Sequence, residues 1–197
     1  MRYFWLGLAW AAWGGLHSAL LSRPIRGRLA GTWPWTGRHW RFFFSVVALA
    51  TFLPLAWASR SLDGPLVWAW PSFWPVLAFN LAAVALAWAA FRAYGGAFAF
   101  FGLAYLKTAE PPDPDRPVER GILARIRHPL YLAALLVLWG HDLTLSSLVA
   151  SGVLTAYLVV GTILEERRLE KEWGQAWWDY RKRVSAVWPR WRRTNRK

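Results

Sequence analysis

The chain has 197 residues, of which 56% are hydrophobic and 18% charged, where a soluble domain carries about 25% charged residues. That apolar content excludes a disordered chain. Uncharged runs of about 20 residues exclude an ordinary water-soluble domain, because about 20 helical residues cross the roughly 30 Å of a bilayer's hydrocarbon. The net charge is +13 and cysteine is absent, which excludes disulfides, thiolate nucleophiles and Cys-ligated metal; no metal site is expected.

The first apolar run covers residues 3–22. Only Arg2 precedes it and five arginines follow, which suits an uncleaved helix with its N-terminus outside better than a signal peptide. The second run, 42–58, is interrupted by Pro54, and the third is 73–91. Residues 93–106 are apolar but contain Gly95, Gly96 and Gly102, which predicts a bent helix end or an interfacial segment. A linker at 107–120 carries Pro111, Pro112, Pro114 and Pro117. The fourth run ends at Gly140 and begins at Gly121 or Pro129; the fifth, 143–164, is uncharged. The expectation is an all-α polytopic membrane protein with five transmembrane helices. It is a single domain: three spans in 1–106, the linker, and a helical hairpin with its tail in 121–190.

With five alternating spans, 22 of the 24 cations fall on one side. By the positive-inside rule that side, including the C-terminal tail, is the cytoplasm. The basic charge is then topology and not nucleic-acid binding. The tail 190–197 should also rest on anionic lipid, at about 1 kcal/mol per nearby cation. Tryptophans near span ends, including Trp5, Trp33, Trp35, Trp57, Trp68, Trp70, Trp74 and Trp188, read as interfacial anchors.

Polar groups break the apolar pattern at three places. Arg125 and Arg127 flank a helix start at Pro129, whose free N–H groups favour an anion. His128 and Tyr131 lie three apart, on one face. The plainer alternative is an interfacial helix start with snorkelling arginines. Glu165 and Glu166 follow the fifth span directly, either as a cation site or as partners of Arg168 and neighbouring loops. His17 sits inside the first span, where histidine is rare and often functional, or is hydrogen-bonded to a neighbouring helix. His141 and Asp142 read as a feature of the outer turn.

Residues 121–131, GILARIRHPLY, resemble the G-x-x-x-x-x-R-H-P-x-Y signature of integral membrane methyltransferases, which include the isoprenylcysteine carboxyl and phospholipid N-methyltransferases. Glu165-Glu166-x-x-Leu169, then 173–180 (WGQAWWDY), is similar to that superfamily's E-E-x-x-L and F-G-x-x-Y-x-x-Y. Residues 184–189 resemble its V-P-x-x-x-P ending. Leu16-His17-Ser18, Arg23-Pro24 and Phe100-Phe101-Gly102-Leu103 look like bacterial methanethiol S-methyltransferases and a related group of denitrification-associated membrane proteins. Ala133, Trp173, Trp177 and Ser185 depart from the pattern without removing an essential chemical group.

The resemblance implies S-adenosylmethionine as methyl donor, bound from the cytoplasmic side of a bacterial inner membrane. It implies that Arg125 or Arg127, with the Pro129 helix start, holds the donor's carboxylate. Glu165 and Glu166 hold its amino group or ribose hydroxyls, and His128 and Tyr131 shape the pocket beside the sulfonium. His17 and His128 are the candidate catalytic residues, His17 as a base toward a thiol. The acceptor is expected to be a small thiol such as methanethiol; a prenylcysteine carboxyl or a lipid amine is the enzymatic alternative. The non-enzymatic alternatives are a haem protein with His17 and His128 as axial ligands, and an accessory protein that retains the fold without activity.

Overall fold

The computed structural model describes residues 1–62, 64–108 and 116–188. Most of the chain is helical. α1 spans Arg2–Leu21, and two short helices, α2 (Arg23–Thr32) and α3 (Pro34–Arg38), each start on a proline in the first turn. α4 (Trp40–Ser61) runs through Pro54 without a break. β1 (Leu66–Trp68) precedes α5 (Phe73–Ala93) and the single turn α6 (Ala97–Phe100). α7 (Pro129–Trp139), β2 (Leu143–Thr144), α8 (Leu145–Trp173) and α9 (Gln175–Arg183) complete the order. The centre of the Pro-rich linker, with Pro111, Pro112 and Pro114, and the basic tail from Pro189 onward lie outside the described residues.

Three helices, α4, α5 and α8, are long and apolar enough to cross a membrane. Their outer faces carry large exposed apolar side chains such as Leu53, Trp57, Leu81, Val84, Trp88 and Val160. Of the eight tryptophans expected at span ends, all but Trp70 are exposed, whereas Trp10, Trp40 and Trp177 are core residues.

The fourth apolar run takes the shorter of its two expected starts. Gly121 adopts a left-handed φ of 58° and opens only a 3-10 turn, Gly121–Ala124. The α-helix begins at Pro129 and has 11 residues, about 16 Å, or half the hydrocarbon thickness. Residues 93–106 break where the glycines predict: Gly95, Gly96 and Gly102 all have positive φ.

Two packing units hold the helices. Leu6 and Trp10 of α1 pack with Ala150 and Leu154 of α8, with Phe52 and Leu55 of α4 against them. The Trp10 indole donates to Ser59 Oγ at 2.9 Å, so its one polar atom is satisfied inside this core. In the second unit α7 packs along α5, and Ala83 and Ala90 of α5 and Ala133 of α7 are buried. Asn80 Nδ2 of α5 donates to the Gly140 carbonyl at 2.8 Å.

The loops sort by end. At one end β1 pairs antiparallel with β2, Tyr3 lies against Gly64, and the Trp70 amide donates to Asp142 Oδ1 at 2.9 Å. At the other, Arg23 meets Glu172 at 2.8 Å and Arg120 donates to the Ala93 carbonyl at 2.6 Å. Loops expected outside thus meet one another, and so do those expected inside.

Candidate active site

The second end carries the site. α8 continues past its apolar stretch, placing Glu165 and Glu166 on a rigid helical extension. Gly174, with φ 52° and ψ −121°, then reverses the chain. That backbone conformation is accessible to glycine at little steric cost, and it lets α9 fold back. Trp177, Tyr180 and Val184 bury themselves there, with Leu169 and Trp173 against them.

The returning tail pairs with the segment before α7. The Arg127 amide donates to the Ser185 carbonyl at 2.8 Å and the His128 amide to Ala186 at 2.9 Å, a parallel bridge. The Tyr180 hydroxyl donates to the Leu123 carbonyl at 2.6 Å. Burial pushes this phenol well above the ordinary tyrosine range, so it remains a donor.

On this backbone the two motifs converge. Arg127 donates to Glu166 Oε1 through Nε at 3.0 Å and Nη2 at 2.5 Å. Its Nη1 donates to the Val184 carbonyl, and its guanidinium lies 5.6 Å from the Trp177 ring centroid. The side chains of Arg127 and Glu166 are only 7% and 13% exposed. Glu166 also meets His128 Nε2 at 3.1 Å and Arg181 Nε at 3.7 Å. Glu165 differs: at 34% exposure, its Oε2 accepts from the Tyr131 hydroxyl at 2.7 Å and stands 3.8 Å from His128 Nδ1. The His128 and Tyr131 rings stack at 5.3 Å and 14°.

Glu165, Glu166, Arg127, His128, Pro129 and Tyr131 therefore meet in one place. Arg125 does not join them: it is exposed, and among the described residues its side chain has no hydrogen-bond or ion-pair partner. The Arg127 charge is committed to Glu166, so of the two arginines preceding the helix start only Arg125 is unpaired among the described residues. His17 lies on α1 between the rings of Trp13, Phe44 and Tyr157. Both ring nitrogens of His128 face carboxylates and not His17.

One participant escapes a sequence reading: the Val184 carbonyl that accepts from Arg127, a backbone group with no residue signature.

The arrangement has a dry, fully paired side at Arg127–Glu166 and a polar, partly open side at Glu165, Tyr131 and the first free amides of α7. The open side suits a ligand with a cationic or hydroxyl-bearing part.

Over 89 residues the chain is 36% identical to methanethiol S-methyltransferase 1 of Bradyrhizobium diazoefficiens, covering 45% of this chain and 30% of that protein. It is 35% identical over 69 residues to the methanethiol S-methyltransferase of Pseudomonas deceptionensis, covering 34% and 26%. A second Bradyrhizobium enzyme, methanethiol S-methyltransferase 2, is 41% identical over 66 residues, covering 33% and 26%. The matched part spans less than a third of these curated relatives. No solved structure is significantly similar to the chain. The sequence profile of the NnrU protein family matches residues 4–194, nearly end to end, and the chain belongs to that family.

Proposed function

We propose that this protein is a membrane-embedded methyltransferase that takes its methyl group from S-adenosylmethionine and delivers it to a small thiol such as methanethiol. The observation that carries the reading is the convergence of the R-H-P-x-Y and E-E motifs, 34 to 39 residues apart in sequence, on one hydrogen-bonded cluster. The partial likeness to three methanethiol S-methyltransferases supports the acceptor class.

The residues present fit such a donor. Glu165 has an oxygen uncommitted to any described residue and partial exposure, suited to an amino group or ribose hydroxyls. The unpaired Arg125 and the α7 amides suit a carboxylate. The stacked His128–Tyr131 pair offers an aromatic face to a cation. Arg127 and Glu166 have a different role, holding α7, α8 and the tail together so that this face is pre-arranged. The donor supplies an electrophilic methyl group. The protein's part is to orient it and keep it dry, since an in-line displacement depends mainly on alignment.

The topology belongs to the same proposal: five passes, N-terminus outside, and the site on the cytoplasmic side of a bacterial inner membrane. The distribution of cations and the sorting of loops by end support it. Here α7 and the turns before it form the short fourth pass, and Arg181, Lys182 and Arg183 of α9 face anionic headgroups.

The near-complete family match favours one second reading, an accessory membrane protein that retains the fold without transferring methyl groups. Titration calorimetry with S-adenosylhomocysteine, followed by methyl transfer to methanethiol, a prenylcysteine analogue and phosphatidylethanolamine, decides. Homocysteine-adduct binding with transfer to the thiol alone is expected. Binding without transfer to any acceptor selects the accessory role, and absence of binding overturns the donor assignment.

A further inference from the structure

His17 presents an unresolved polar atom. Its Nδ1 is buried with no hydrogen-bond partner, a costly state inside a helix bundle unless a ligand completes it. Three rings from three helices surround the imidazole: Trp13 of α1 at 5.1 Å, Phe44 of α4 at 4.6 Å and Tyr157 of α8 at 6.1 Å between centroids. The Trp13 indole is already committed to Thr51 Oγ1 at 3.1 Å. The Tyr157 hydroxyl accepts from Ser18 Oγ at 3.2 Å, and its own proton has no acceptor among the described residues. Gly14 makes the enclosure possible, because a Cβ there would stand 2.8 Å from the Tyr157 ring.

We infer that His17, Trp13, Phe44 and Tyr157 form the binding site for a small alkyl thiol, the acceptor in the reaction proposed above, on which this inference rests. The walls are aromatic, and sulfur makes favourable contacts with aromatic rings. His17 Nδ1, buried and unpartnered, and the Tyr157 hydroxyl are uncommitted polar positions, enough for one S–H group. Tyr157 stands on α8, the helix that also carries Glu165 and Glu166, so this box and the donor cluster share one rigid element.

The test uses the full chain in lipid nanodiscs with trifluoroethanethiol as probe, read by fluorine NMR line broadening without any methyl donor. The wild type is expected to broaden the probe signal saturably. His17→Ala, which removes the polar atom, and Phe44→Trp, which fills the box, are each expected to weaken the probe by at least about tenfold, or 1.4 kcal/mol. S-adenosylhomocysteine binding to the same samples reports the donor site and the fold. Should His17→Ala lose that binding through misfolding, Phe44→Trp alone decides. Probe affinity within about twofold of wild type in a variant that still binds S-adenosylhomocysteine overturns the box and leaves the donor reading intact. A wild type that never binds the probe also overturns it. A wild type that binds the probe but not S-adenosylhomocysteine instead overturns the donor reading.

Discussion

Arg127 and Glu166, 39 residues apart, form a two-pronged ion pair that both motifs need and neither can complete alone. The pair is nearly buried and is closed on its other side by the Val184 carbonyl and the Trp177 ring. A buried charge left without its partner costs about 3–5 kcal/mol. Arg127→Met should therefore lower thermal stability in detergent sharply. It should also release α9, seen as faster tryptic cutting at Arg181, Lys182 and Arg183. The double variant Arg127→Met with Glu166→Gln, which leaves no stranded charge, should recover part of the loss. If the single variant melts with the wild type and its tail resists trypsin, the clamp does not hold the tail.

Glu165 should behave in the opposite way. It is the more exposed carboxylate and its one strong bond is to Tyr131. Glu165→Gln keeps the shape and an acceptor oxygen but removes the charge. S-adenosylhomocysteine affinity should fall at least about tenfold, equivalent to 1.4 kcal/mol, while melting shifts little. Calorimetry beside a thermal melt separates the two acids. A Glu165→Gln protein that binds as tightly as wild type, with Glu166→Gln stable but non-binding, would reverse their roles.

The sequence discloses this site to the extent that charge is conspicuous in an apolar chain. Arg127, His128, Glu165 and Glu166 interrupt uncharged runs, and membrane burial of charge is costly enough to mark them. Tyr157 sends a weaker signal, since one tyrosine in a span reads equally as packing. The commitment of Arg127 was not legible, because it depends on a backbone carbonyl and on a tail that returns only after Gly174 reverses the chain. For a similar reason α2 and α3 appear as a basic loop in sequence. Their apolar periodicity is too short to register, although Pro24 and Pro34 mark helix first turns. The sequence allows α7 to start at Gly121 or at Pro129; the left-handed backbone at Gly121 decides it.

Gly174 offers a test of the reversal itself. A Cβ there meets nothing within 4 Å, so Gly174→Ala isolates backbone strain from crowding. A residue forced into such a glycine-favoured region costs about 1–3 kcal/mol. The variant should undock α9, weaken S-adenosylhomocysteine binding and expose the tail to trypsin. Gly161→Ala, also in open space but inside α8, is the control. It should be neutral or stabilising by about 0.5–1 kcal/mol. Equal behaviour of the two variants would show that the turn does not depend on its positive φ.

The proposed orientation can be tested with single cysteines, because the native chain has none to remove. Ser72 precedes α5 at the end where β1 meets β2, and Arg28 lies on α2 at the opposite end. Both are exposed, so substitution should not disturb packing. In intact spheroplasts a membrane-impermeant maleimide should label Ser72→Cys at once and Arg28→Cys only after lysis. The positive-inside argument predicts this sign because basic loops are retained on the cytoplasmic side. The reverse pattern would invert the whole protein and place the Glu165 cluster outside, away from any cytoplasmic methyl donor. Labelling of both positions before lysis would mean that the two ends do not face opposite sides of one bilayer.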